Sequence, residues 1–350
     1  MIIPNTIFLL SKEDLCHKIS SFGFPSYRGE QVYDWLHRKQ VQTYSEMNNI
    51  PKDLRVYLST HFPIMYPEII STLVSKDGSA KFLLKLQDGA LTEMLLIPAL
   101  KNGEINRLSL CFSTQVGCPM ECSFCATGKE GFTRNLEALE IYMQILLAQK
   151  EADLRITNLL AMGQGEPFLN FDAVVTALEL CNCANNLNIS ARHICVSTCG
   201  IIDKIDQFST INKQYTLAIS LHSARQSVRN IIMPKQANQD LKKLKKSLLS
   251  YVNKTKRRVT LEYIMLKDIN DSEKDLKALQ DFCKGLLCHV NLLFFNSVDG
   301  VELSGSKAKT LKFWEHELTK HGIDASIRTP RGNDIFGACG QFKNFNGGFE

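Results

Sequence analysis

The 350-residue sequence has no long hydrophobic run. Its longest apolar stretches, such as EMLLIPAL and LLFF, fall far short of the ~20 residues that a membrane-spanning helix requires. The N-terminus lacks a basic leader followed by a small-residue cleavage site, so we expect no signal peptide. Internal repeats and low-complexity tracts are also missing, which excludes a solenoid or a fibrous array. We therefore expect a globular protein of the cytoplasm that has no membrane contact.

A strong excess of charge of either sign is missing as well. The formal net charge is +5, with 22% charged and 44% hydrophobic residues, which is ordinary for a globular protein. This balance permits a nucleic-acid partner without arguing strongly for one. The twelve cysteines are spread over a large chain with a full apolar complement, so we expect reduced thiols rather than a disulfide framework.

The first part of the chain predicts a small α+β domain over residues 1–98. Three helical patterns, KEDLCHKISSFG, GEQVYDWLHRK and PKDLRVYLSTHF, are separated by glycine and proline. Two Asp-Gly pairs, Asp77-Gly78 and Asp88-Gly89, then divide three β-rich runs, which indicates a three-stranded meander. We interpret the next stretch, ALKNGEIN, as a loop.

From Arg107 onward, short apolar runs alternate with helix-period stretches. Six or so such βα units in series favour a parallel sheet that is closed or partly closed into a barrel. The predicted fold is therefore α/β, with a partial (β/α)6-type barrel over residues 99–350 that ends in a glycine-rich C-terminal loop.

Polar residues follow the predicted barrel strands, where the sites of parallel βα folds gather. A cysteine-rich loop follows the first strand, GQGEP (163–167) the second, Ser197 the third, Ser220 and His222 the fourth, and Asn296 the sixth. This recurrence predicts one ligand site at one rim of the barrel.

The cysteine-rich loop, QVGCPMECSFCATG, holds Cys118, Cys122 and Cys125 within eight positions. A disulfide leaves one thiol over, and a structural zinc site usually needs a fourth ligand from a second Cys or His pair, which does not occur nearby. Three thiolates can instead bind three irons of a [4Fe–4S] cluster and leave the fourth iron open. The spacing thus favours a cluster over zinc.

The CxxxCxxC spacing, with an aromatic residue before the last cysteine, resembles the motif of radical S-adenosylmethionine (SAM) enzymes, and GQGEP resembles their GGEP-type SAM motif. Longer segments are similar to the RlmN/Cfr family of RNA adenine methyltransferases, and the similarity runs from about residue 25 to 343. They are YRGEQVYDWL, IPKDLR, LCFSTQVGCPMECSFCATG, KEGFTRNL, MGQGEPFLN, AISLHS, VTLEYIMLKDINDS and IRTPRGNDIFGACGQ.

The resemblance implies a role for each matching residue. Cys118, Cys122 and Cys125 would bind the [4Fe–4S] cluster. The residues implied to line SAM are Gly165, Glu166, Ser197, Ser220, Leu221, His222 and Asn296. Cys339 would be the S-methylated cysteine, Cys111 the resolving thiol, and Glu93 the general base. Glu93 shares a strand face with Leu95 and Ile97, an apolar setting that would raise its pKa.

The implied reaction is methylation of adenine C2 in 23S ribosomal RNA through an S-methylcysteine, with two SAM molecules consumed. Transfer RNA is left open as a second substrate. The resemblance also implies an electron donor such as flavodoxin, an RNA-binding role for the N-terminal domain, and a monomer. Arg328 and Arg331 flank the approach to Cys339 and are candidates for contact with the RNA backbone.

Three rival functions remain at this stage. A close variant would methylate C8 of the same base. A protein of a different class would be a non-catalytic RNA-binding or sensor protein that carries the cluster, but such a protein needs neither Cys111 nor Cys339. A radical SAM enzyme acting on protein or small molecules would not need the ACGQ segment or the N-terminal domain.

Overall fold

One continuous ten-stranded sheet organises the computed structural model, which describes residues 7–152, 154–236, 239–298 and 300–343. Three antiparallel strands at one edge lead into a run of parallel strands. The parallel run is the partial barrel that the βα alternation predicts, and the antiparallel strands extend its first edge.

The N-terminal helices are as predicted: α1 (Lys12–Ser21), α2 (Tyr27–His37) and α3 (Lys52–His61). Ser11 caps α1, since its hydroxyl accepts the backbone N–H of Asp14 at 3.1 Å. The predicted meander is also confirmed. Its strands are β1 (Glu68–Val74), β2 (Ala80–Lys85) and β3 (Leu91–Lys101).

The interpretation of ALKNGEIN as a loop is wrong. Strand β3 continues to Lys101, turns at Asn102-Gly103 and returns as β4 (Glu104–Cys111). Lys101 pairs with Glu104, and both turn residues have positive φ, as a type I′ hairpin requires. The Asn-Gly pair was the signal for this turn.

The remaining barrel strands each pair in parallel with the next. They are β7 (Asn158–Ala161), β8 (Ile194–Thr198), β9 (Thr216–Ser220), β10 (Val259–Met265), β11 (Cys288–Phe294) and β12 (Asp324–Arg328). Strand β4 heads this run by pairing with β7. A small hairpin of β5 (Gln115–Gly117) and β6 (Phe132–Asn135) stands apart from the sheet.

Amphipathic helices connect these strands and pack their apolar faces on the sheet. The longer ones form where the sequence after Arg107 has its helix-period stretches: α5 (Ala138–Glu151), α6 (Phe171–Asn182), α9 (Leu241–Thr255), α10 (Glu273–Cys283) and α11 (Ala308–Lys320). Three short helices were not predicted: α4 (Ala126–Lys129), α7 (Ile202–Phe208) and α8 (Gln226–Ile232). No helix in the described ranges combines the length and apolar character needed to cross a bilayer.

Position 98, the predicted domain boundary, lies inside β3, and the division into 1–98 and 99–350 stays a prediction. A single apolar core extends from the N-terminal helices into the barrel. Within it, His37 Nδ1 lies 2.9 Å from the hydroxyl of Tyr142, which joins α2 to α5. The site residues therefore sit on a sheet that both parts of the chain build.

Candidate active site

The three clustered cysteines lie between β5 and α4, in a loop fixed by backbone contacts. Gly117 starts the loop with φ +74°, and a Cβ there would lie 2.0 Å from the carbonyl oxygen of Gly131. The N–H of Cys118 donates to the same carbonyl at 2.8 Å. On the other side, the N–H of Ser123 donates to Ile232 O of α8 at 3.0 Å. Only glycine fits position 117, so the local sequence determines the entry into the loop.

The three cysteines pack against a buried apolar cluster that includes Met120, Phe124, Ile232, Met233, Ile264 and Leu266. Burial raises the pKa of all three thiols, that of Cys118 to about 12. Backbone N–H groups oppose this effect at two of them: Met120 and Gly165 donate to Cys118, and Thr127 and Gly128 to Cys125.

Within the described ranges, no three Cys, His, Asp or Glu side chains converge on a single-ion site. A [4Fe–4S] cluster takes each thiolate on a different iron, so its ligands do not need to meet at one point. Three cysteines in an apolar setting, two of them with N–H donors, fit such a cluster, because thiolates are its ligands and N–H···S bonds stabilise them.

The GQGEP loop packs directly against the cysteine loop. Gly165 has φ +105°, and a Cβ there would lie 2.7 Å from the Cβ of Gln115. The carboxylate of Glu166 is hydrogen-bonded to the protein's own backbone, since it accepts the N–H of Cys199 at 2.7 Å and the N–H of Phe168 at 3.0 Å. Any SAM contact of this loop would therefore involve its backbone, and the SAM role of Gly165 and Glu166 stays a prediction.

The strand-end residues gather at the same rim. The hydroxyls of Ser197 and Ser220 lie 3.4 Å apart, and Leu221 is fully buried beside them. His222, at φ +53°, accepts the N–H of Ile264 through Nδ1 at 3.1 Å. Burial lowers the pKa of His222 to about 3, with a further contribution from Arg229, so the ring is neutral and carries its proton on Nε2.

The loop that carries Cys339 docks on the cysteine loop. The N–H of Ala126 donates to Gly340 O at 2.7 Å, and the hydroxyl of Thr127 donates to Phe342 O at 2.7 Å. Asn296 donates through Nδ2 to the carbonyl of Cys339 at 3.1 Å. A cysteine more than 200 positions away in the sequence is thereby held next to Cys125.

A cavity of about 780 Å³ inside the barrel is bordered by Cys111, Cys125 and Cys339. Cys339 is exposed to this cavity, although many protein atoms surround its sulfur, and burial together with Glu262 raises its pKa to about 11. Cys111 is buried at the end of β4. Desolvation, and secondarily the neighbouring Cys339, raise the pKa of the Cys111 thiol. The predicted methyl-carrying and resolving thiols thus share one space.

Glu93 is buried beneath the C-terminal segment, on the strand next to Cys111. Its Oε1 lies 3.0 Å from Nζ of Lys81, and its Oε2 accepts the N–H of Lys343 at 2.8 Å. Burial raises the pKa of Glu93 to about 7, against the opposing effect of Lys81. Glu93 is not among the residues that border the cavity, so its access to a substrate depends on the segment that covers it.

Two groups of residues in this region escaped the sequence analysis. Glu262, in the middle of β10, borders the cavity and accepts Nδ2 of Asn291 at 2.9 Å; desolvation raises its pKa. A carboxylate on an inward position of an apolar strand was its only signal. Five arginines also border the cavity: Arg107, Arg192, Arg258, Arg328 and Arg331. Of these, the sequence analysis names only Arg328 and Arg331.

Two further cysteines, Cys195 and Cys199, lie near the site. Cys195 borders the same cavity as Cys111. Cys199 is a buried member of the apolar cluster beside the cysteine loop; its N–H donates to Glu166, and its carbonyl accepts from Arg229. All twelve cysteines are free thiols in the structure.

Two family models match the chain. The radical SAM superfamily model covers residues 112–279, and the model of the ribosomal RNA large subunit methyltransferase N-terminal domain covers residues 7–64. A probable dual-specificity RNA methyltransferase RlmN of Clostridium perfringens (strain 13) is 40% identical over 332 residues, which is 95% of this chain and 94% of the relative. This chain belongs to the RlmN family of radical SAM RNA methyltransferases.

Further comparisons agree with this family. An RlmN of the same description from Clostridium novyi is 40% identical over 91% of both chains. The crystal structure of a radical SAM methyltransferase from Sphaerobacter thermophilus superposes with a TM-score of 0.92 and 34% identity, over 98% of this chain and all of that one. As a member of the RlmN family, the chain uses a [4Fe–4S] cluster and SAM.

Proposed function

We propose that this RlmN-family enzyme methylates C2 of an adenine in 23S ribosomal RNA, with Cys339 as the methyl carrier. The observation that carries the proposal is the cavity bordered by Cys111, Cys339 and Cys125, the last of which is a proposed cluster ligand. A protein that only binds RNA has no use for two free thiols beside a third one that binds iron.

Adenine C2 is a poor nucleophile, so ordinary methyl transfer does not reach it. When bound, the cluster and SAM supply the methyl group and the radical chemistry that this carbon requires. The protein's task is to carry the methyl carbon on Cys339 Sγ, which is polarisable and open to the cavity. The loop contacts of Ala126 and Asn296 hold Cys339 in position for this role.

Release of the product needs two further groups from the chain. Glu93 would accept the C2 proton, and a pKa of about 7 suits a base that works near neutrality. Cys111 would then attack Cys339 Sγ: an S–S bond forms, the bond between Sγ and the carbon attached to the base breaks, and the proton of the Cys111 thiol ends on that carbon, which leaves a methyl group on the base and the two cysteines as a disulfide. The raised pKa of Cys111 keeps its thiol protonated until that step.

The test uses single cysteine variants of the full chain, reconstituted anaerobically and supplied with SAM, a reductant and protein-free 23S ribosomal RNA. Cys111→Ala should accumulate a covalent protein–RNA species, because the thiol that resolves it is gone. Cys339→Ala should form neither this species nor methyladenine. Cys195→Ala is the matched control, since Cys195 borders the same cavity and has no proposed role.

Mass spectrometry of digested RNA locates the methyl group and distinguishes C2 from C8. Methylation at C8, or equal adduct from the Cys111 and Cys339 variants, would contradict the proposal. Transfer RNA forms a second arm of the same assay, because the two Clostridium relatives are named as probable dual-specificity RNA methyltransferases. A monomer, a flavodoxin-type electron donor and a cytoplasmic location remain predictions alongside it.

A further inference from the structure

Arg229 is a fully buried cation beside the cysteine loop that no role described so far uses. It lies on α8, the helix whose last residue, Ile232, accepts the N–H of Ser123 between two of the cluster cysteines. Arg229 is not among the residues that border the 780 Å³ cavity. Its guanidinium instead contacts the backbone carbonyls of Leu221 and Cys199, next to the cysteine loop.

Only part of its guanidinium is satisfied. Nε donates to Leu221 O at 3.1 Å and Nη2 donates to Cys199 O at 2.6 Å. Nη1 is buried and has no hydrogen-bond partner among the described residues, and no carboxylate in that part of the chain forms an ion pair with Arg229. A buried, uncompensated charge is costly, so the position calls for an anionic partner that the protein atoms do not provide.

The cluster cysteines show where that partner would lie. Cys118 and Cys125 each receive backbone N–H groups, as described above. Arg229 lies on the side of Cys122, because Ile232 of the same helix accepts the N–H of Ser123, the residue after Cys122. Cys199, whose carbonyl Arg229 binds, also belongs to the apolar cluster against which Cys122 packs. The positive charge of Arg229 opposes the rise in the pKa of the Cys122 thiol. Near Cys122 the positive group is therefore the side chain of Arg229, whereas near Cys118 and Cys125 it is backbone N–H groups.

We propose that Arg229 compensates the negative charge of the cluster on its Cys122 side and raises the cluster's reduction potential. One-electron reduction adds a negative charge to a largely apolar site, where a nearby cation stabilises the reduced form strongly. The proposal rests on the family's cofactor and is independent of which RNA atom is methylated.

The experiment is a redox titration of the reconstituted full-length protein, without SAM or RNA, monitored by the EPR signal of the reduced cluster. Arg229→Gln keeps a donor for one carbonyl but loses the charge. At a fixed potential we expect its ratio of reduced to oxidised cluster to fall at least tenfold, which is 59 mV for one electron. Arg229→Lys keeps the charge, and its ratio should stay within about threefold of the unmodified protein.

Lys235→Met is the matched control. Lys235 also carries a positive charge beside the loop, but it is half-exposed and paired with Glu121 at 3.1 Å, so water screens it and the ratio should change less than twofold. An unchanged potential in Arg229→Gln would overturn the proposal. Equal shifts in the Gln and Lys variants, or equal loss of iron from both, would assign Arg229 to packing instead. Weaker SAM binding at an unchanged potential would assign it to the substrate.

Discussion

Removing the charge of Lys81 should shift the pH dependence of the reaction to higher pH. Lys81 Nζ lies 3.0 Å from Glu93 Oε1, and both side chains are almost fully buried. Two unit charges ~3 Å apart attract by roughly 5 kcal/mol at an effective dielectric constant of ~20. At about 1.4 kcal/mol per pKa unit, this is an upper bound of ~4 units on the effect of the lysine.

The direction follows from the proposed role of Glu93 as a base, because a carboxyl group accepts a proton only when it is ionised. With a pKa of about 7, proton removal in the unmodified protein should rise with pH and level off above neutrality. Lys81→Met leaves burial unopposed, so the pKa of Glu93 should rise further. A rise of one unit alone would reduce the ionised fraction at pH 7 from about one half to about one tenth.

The assay is the single-turnover rate of methyladenine release across the neutral pH range. Lys85→Met is the control, because Lys85 lies on the same strand but forms an exposed ion pair with Glu68 at 3.5 Å. We expect the midpoint of the profile to move upward by at least one unit for Lys81→Met and to stay in place for Lys85→Met. A folded Lys81→Met protein whose midpoint stays or falls would refute the reasoning about Glu93.

Two other substitutions test the backbone conformation of the GQGEP loop and the proposed contact of Arg328 with RNA. Gly165→Ala should lower the free energy of unfolding, measured by chemical denaturation, by about 1–3 kcal/mol more than Gly103→Ala does. Both glycines have positive φ. Of the two, only Gly165 has a neighbour that an added Cβ would meet, Gln115 at 2.7 Å. Equal losses would exclude the steric argument. Arg328→Gln should weaken RNA binding and reduce the slope of log K against log salt by about 1, as expected for one lost phosphate contact. An unchanged slope would remove Arg328 from the RNA interface.

Local sequence patterns predict most of the fold and part of the candidate site. Helix caps, Asp-Gly turns and apolar periodicity depend on neighbouring residues, so α1 to α3, the meander and the barrel strands could be predicted from sequence. Asn102-Gly103 carried an equally local signal for the hairpin between β3 and β4. Helices α7 and α8 are short, with seven residues each, and offer too few turns for a clear apolar period.

The contacts that depend on tertiary structure could not be read in this way. The ACGQ segment carries no local sign that Gly340 O accepts the N–H of Ala126, so the closeness of Cys339 to the cysteine loop came only from family resemblance. Likewise, the cover that Lys343 forms over Glu93 joins residues 250 positions apart. Arg229 stands in a stretch, SVRNIIMPKQ, where a surface helix would have the same composition.

The pairing of β3 with β4 has a practical consequence for anyone who wishes to divide this enzyme into parts. Leu95 is opposite Cys111 in this pairing, so the strands that carry the proposed base, Glu93, and the proposed resolving thiol, Cys111, are held in register by backbone hydrogen bonds. A fragment that starts at residue 99 would lose most of β3 and expose β4 as an unprotected edge strand, which invites aggregation. A cut ahead of β1, in the segment between α3 and Glu68, would keep all ten strands of the sheet and all the proposed site residues in one fragment.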